Sequence, residues 1–88
     1  MGRYTGGMNS RDNLDQPRGY TIRVAGRLSA PRLEFFQELA PRVEIQPDGG
    51  ELITLCGRFA DQAALMGTLQ NLYNLGCVLV SVDMAETL

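Results

Sequence analysis

Residues 52–82 read as strand, turn, helix, turn, strand, and this stretch limits the chain to few folds. Leu52-Ile-Thr-Leu-Cys56 leads through Gly57-Arg58-Phe59-Ala60 to a helix opened by Asp61. Asp is a favoured N-cap because its carboxylate takes a backbone N–H that has no helical partner. Leu65, Leu69 and Leu72 recur at helical spacing, with Ala64, Thr68 and Leu75 beside them. Gly76 stands where a helix commonly ends in the left-handed conformation. Cys77-Val-Leu-Val-Ser-Val82 then begins a last strand, running to Met84. Its apolar residues fall on both parities, Val78, Val80 and Val82 against Cys77 and Leu79, so its inward face stays open.

Upstream lies a looser copy of the same unit. Residues 20–28 alternate: Tyr20, Ile22, Val24 and Leu28 share one face, and Thr21, Arg23, Ala25 and Arg27 the other. Ser29 sits at an N-cap position, with Pro31 in the first turn, where its missing N–H costs nothing. A helix over 31–40 turns Leu33, Phe36 and Leu39, with Ala40, toward a core, and Pro41 ends it. Val43-Glu-Ile-Gln-Pro47 is a short strand with Val43 and Ile45 inward, and Asp48-Gly49-Gly50 is the turn of a hairpin. In residues 51–59, Ile53, Leu55 and Phe59 share one face; Leu52, Thr54, Cys56 and Arg58 share the other.

The order is therefore βαββαβ. Two interleaved right-handed βαβ units give an α+β, ferredoxin-like sandwich: a four-stranded antiparallel sheet in order 4-1-3-2, with two helices on one face. Residues 1–18, with almost nothing to bury, read as a disordered tail; 19–84 form the domain; 85–88 read as frayed.

At 88 residues this is one small domain, whose folding buries only about two-thirds of the unfolded chain's surface. Self-association is a common remedy for so thin a core. All eight basic residues are Arg; the chain has no His and no Lys. That removes the imidazole base and ligand, the Schiff-base nucleophile and the phosphate-loop lysine. A net charge of −2 argues against a nucleic-acid partner held by charge. No apolar run approaches the roughly 20 residues that span a bilayer, and the first residues lack the apolar core of a secretory signal. The expectation is a cytoplasmic protein with no membrane partner, no cofactor and no enzymatic activity.

The sheet face away from the helices is expected to carry the function. It should present Thr21, Arg23, Ala25 and Arg27 from the first strand and Leu52, Thr54, Cys56 and Arg58 from the third, with Arg23 near Cys56. Glu44 and Gln46 extend it from the second. Three readings of this mixed surface stand side by side. Its arginines pair weakly with Glu44, Glu51 or Asp83 on a solvated face; the face docks a second copy or an unknown protein partner; or Arg23 and Arg58 bind an anion.

Cys56 and Cys77 fall on the third and fourth strands, with the first strand between them. Two strand spacings make about 9–10 Å, beyond the roughly 7 Å that a disulfide spans, so two free thiols are expected. With no His and no CxxC spacing, a metal site is not expected. Gly57 reads as a bulge or as a point of close approach, the bulge being favoured. Met66 and Gly67 on the second helix, with Tyr73, mark either a contact surface or local packing.

Gly57-Arg-Phe-Ala-Asp-Gln-Ala-Ala-Leu-Met-Gly-Thr-Leu, followed by Leu75-Gly76-Cys77-Val78-Leu79-Val80-Ser81-Val82, resembles small bacterial proteins of largely uncharacterised function. Tyr20-Thr-Ile-Arg-Val-Ala-Gly-Arg-Leu matches their first strand, so the resemblance covers about residues 19–82. It implies the fold and no reaction: Asp61 caps, Ala63 and Ala64 pack, and Gly67 lets something approach. Where this chain has Met66, such relatives often carry His, so any role of that His is missing here.

Two functions follow as expectations. One is a self-associating interaction or regulatory module, a homodimer through the open face or an edge strand. The other is a small-molecule sensor resembling ACT domains, with the turn Gly26, Arg27, Leu28 and Ser29 near a ligand at the dimer interface. An RNA binder of this shape needs aromatic residues on the central strands, where this chain has Arg23, Ala25, Thr54 and Cys56. An acylphosphatase-like site would need a strand Asn, which is absent, although Arg27 is available.

Overall fold

The computed structural model describes residues 17–85. Its elements run β1 (Arg18–Ala25), α1 (Ala30–Phe35), a 3-10 turn (Gln37–Leu39), β2 (Arg42–Ile45), β3 (Glu51–Phe59), α2 (Gln62–Asn74) and β4 (Val78–Ala85). The strands form one antiparallel sheet in the order β2-β3-β1-β4, which is the expected order read from the other end. Apart from Pro17, Arg18 and Ala85, the expected tails lie outside the described residues, and of these three Arg18 and Ala85 are strand residues.

Alternation in β1 and β3 sets the core. Ile22, Val24, Ile53 and Leu55 are almost fully buried and meet Phe36, Leu65 and Leu72 from the helical side in one cluster. Burying each such side chain contributes about 1.5–3 kcal/mol. Tyr20 and Phe59 close one end of it with an edge-to-face ring contact at 5.9 Å. The Tyr20 hydroxyl accepts a hydrogen bond from Gln62 Nε2 at 2.6 Å, tying β1 to the first turn of α2.

The caps of α2 follow the sequence. Asp61 Oδ1 accepts from the Ala64 amide at 2.9 Å. At the other end Gly76 (φ 89°) donates to the Tyr73 carbonyl and Cys77 to the Leu72 carbonyl, the pair of bonds that closes a Schellman motif. Cys77 therefore lies in the cap, one residue before β4, rather than on the strand. It is buried, and loss of hydration raises its thiol pKa.

The first helix is shorter than the expected 31–40. It ends at Phe35, and the chain tightens into the 3-10 turn before Ala40 takes a left-handed conformation at φ 49°. Pro41 excludes the α conformation at Ala40, and the last turn narrows to meet it. Ser29 occupies the N-cap position but makes no side-chain capping bond. Leu33, Phe36 and Leu39 still face the core.

Gly57 is not a bulge: β1 pairs with β3 without interruption from Arg18–Phe59 to Ala25–Leu52. Leu39 packs directly over it, and a Cβ at Gly57 would come within 2.6 Å of Leu39 Cδ2. The bulge lies elsewhere. Arg23 faces Ser81 while Val24 faces Leu79, leaving Val80 as the extra residue on β4. This explains the double parity of the last strand. Val82 pairs with Ile22 and Leu79 with Val24, so residues three apart reach the same side.

Candidate functional site

With both helices on one side, the opposite parity of the central strands is left uncovered by any described element. Cross-strand register arranges that face in rows. One row runs Arg42, Thr54, Arg23, Ser81 across all four strands. The next holds Cys56, Thr21 and Asp83, and the one beyond it pairs Arg58 with Gly19. On the other side of the arginine row stand Glu44, Leu52, Ala25 and Val78.

Eight of the expected residues thus share the face: Thr21, Arg23, Ala25, Glu44, Leu52, Thr54, Cys56 and Arg58. Arg23 is diagonal to Cys56, and Thr21 Oγ1 lies 3.3 Å from Cys56 Sγ. Two expectations need correcting. Arg27 lies beyond the end of β1, where its exposed side chain brings Nε to 3.4 Å from Oε2 of the partly buried Glu51. Gln46 belongs to the hairpin turn, where its amide donates to the Gly50 carbonyl. Arg58, two rows from Arg23, is not its natural partner in an anion site. Arg42 is, although reasoning from sequence passed over it. Extending the parity of Glu44 back by two residues would have found it.

The turn suggested for an ACT-like ligand is engaged with the protein itself. Gly26 (φ 150°) donates to the Glu51 carbonyl and lies against Cys77. The cleft beside it includes Asp48 and Glu51 with Arg27. Cys56 and Cys77 are both free thiols. On α2, Met66 and Tyr73 are exposed, and no atom lies near Gly67 to exploit its missing side chain.

A second surface emerges at the sheet margins. Along β4, Val78, Leu79, Val80 and Met84 are each more than half exposed. On β2 the exposed apolar side chains are Val43 and Ile45.

Fold and surface define a small α+β domain with an open antiparallel sheet and two helices, offering a polar face and an apolar edge. Residues 19–83 match a family described as a domain of unknown function (DUF8691), and the chain belongs to that family. No curated protein and no solved structure matches the chain. Among the described residues, no helix is long and apolar enough to cross a membrane.

Proposed function

We propose that this ferredoxin-like domain is a non-catalytic, self-associating interaction module whose second copy pairs along β4. One observation carries the reading: β4 is an eight-residue edge strand with four large apolar side chains exposed. An edge presents unpaired backbone N–H and C=O groups, which proteins commonly shield with charge, proline or brevity. β4 contains no proline and no basic residue, and its one charge is Asp83.

Antiparallel pairing of β4 with its copy is self-complementary under a two-fold axis, so every apolar contact occurs twice. The product is a continuous eight-stranded sheet with both open faces on one side. The absence of His and Lys from the chain fits a role in assembly rather than in acid–base or Schiff-base chemistry. Light scattering at increasing concentration tests the reading on the wild type and on Leu79→Lys. A wild-type dimer that the substitution splits supports it. A wild-type monomer at high micromolar concentration, or a dimer indifferent to Leu79→Lys, refutes it.

A further inference from the structure

The arginine row on the open face has features that pairing along β4 leaves unexplained. Arg23 and Arg42 flank Thr54 in direct cross-strand register, so their backbones stand about 9–10 Å apart. Both side chains are exposed and long, and they project from the same side of the sheet. Among the described residues, neither meets a carboxylate within ion-pair distance. Two guanidinium groups thus flank one hydroxyl, with the carboxylates of Glu44 and Asp83 held at the borders rather than paired with them.

The surroundings are those of a shallow binding surface. Thr21, Arg23, Arg42, Glu44, Thr54 and Asp83 border a concavity of about 490 Å³ in the middle of the sheet. At the β4 end of the row, Ser81 Oγ is shielded from water and has no hydrogen-bond partner. It stands across Arg23 from Thr54 and does not border the concavity, which rests on the side chains named above.

We propose that this row binds a small anion, a carboxylate or phosphate group seated over Thr54 between the guanidinium groups of Arg23 and Arg42. Arginine suits the task because its planar fork donates two parallel bonds to either group. Glu44 and Asp83 at the borders set the size and charge of the ligand. They repel a polyanion, so an extended phosphate chain such as RNA is disfavoured, whereas a compact, singly charged group fits. Hydrogen-bond donors or a cationic group on the same molecule would then meet the two carboxylates.

The site is independent of pairing along β4, and its test reads equally on monomer or dimer. Amide and arginine side-chain resonances of the full chain are followed by NMR during titration with sodium acetate and, separately, with inorganic phosphate. Sodium chloride at matched ionic strength serves as the reference. The expected result is saturable shifts at Thr21, Arg23, Arg42 and Thr54, with affinity in about the millimolar range. The tighter of the two anions identifies the chemical group. Arg23→Ala and Arg42→Ala should each weaken binding about tenfold or more. Arg58→Ala removes the same charge from the same face two rows away and should leave the affinity within about twofold. Absence of saturation by either anion to about 50 mM overturns the proposal, as does an Arg58→Ala loss equal to that of Arg23→Ala.

Discussion

The two edges of the sheet both expose apolar side chains but differ in length, in flanking proline and in charge. β2 has four residues, lies between Pro41 and Pro47, and alternates Arg42 and Glu44 with its apolar side chains. β4 has twice the length and no proline, and its apolar side chains lie on both sides of the sheet. Its bulge at Val80 is the one device that disturbs the edge, and it leaves Ser81–Ala85 regularly paired with β1. Short, charged, proline-bounded edges resist pairing; long apolar ones invite it. By length, charge and proline, β2 is protected against pairing and β4 is not.

The largest expected effect comes from placing one charge on each edge. Leu79→Lys should weaken self-association about a hundredfold, because two-fold symmetry counts the substitution twice and desolvates both amines. Ile45→Lys, an equally exposed apolar-to-basic change on β2, should alter it by less than about twofold. Sedimentation of the two variants side by side measures the difference, and equal effects would erase the distinction between the edges.

Stability changes near the β2 side come next. Gly57→Ala drives a methyl against Leu39, the last residue of the 3-10 turn that leads toward β2. Because the obstructing atom is the end of a flexible side chain, the cost should be about 1 kcal/mol in urea unfolding. Ala40→Gly should have the opposite sign. Relief of the left-handed strain at φ 49° outweighs the added freedom of the unfolded chain, for a gain of about 0.5–1 kcal/mol.

A smaller effect belongs to the entry of β4. Cys77 keeps its proton more tightly in the folded state than its ordinary pKa of 9.0 allows, because burial disfavours the thiolate. Its contribution to stability is therefore complete below pH 9 and is lost as pH rises through the raised folded value. The fall in stability above pH 9 should be shallower in Cys77→Ala than in the wild type, measured by urea unfolding across pH. Parallel curves would contradict this.

Strand alternation made the core and the open face readable in advance. Ile22, Val24, Ile53 and Leu55 lie where period two places them, and Thr21, Arg23, Thr54 and Cys56 lie opposite. The α2 caps, Asp61 and Gly76, were equally plain because each answers a specific backbone need. What escaped were features that depend on neighbours distant in sequence. The Val80 bulge is defined by the register against Arg23 and Val24, and periodicity within β4 shows it as contradictory parity. The close approach at Gly57 depends on Leu39, eighteen positions earlier. Arg42 was missed through a strand boundary set one residue late, which hid the partner of Arg23 across Thr54.

Amide hydrogen exchange along both edges, at low and high protein concentration, tests the central claim most directly. Pairing through β4 predicts that the β4 amides not bonded to β1 become protected as concentration rises, while outward amides of β2 exchange at an unchanged rate. Protection gained on β2 instead, or on neither edge while the mass still doubles, would contradict it and move the interface away from β4.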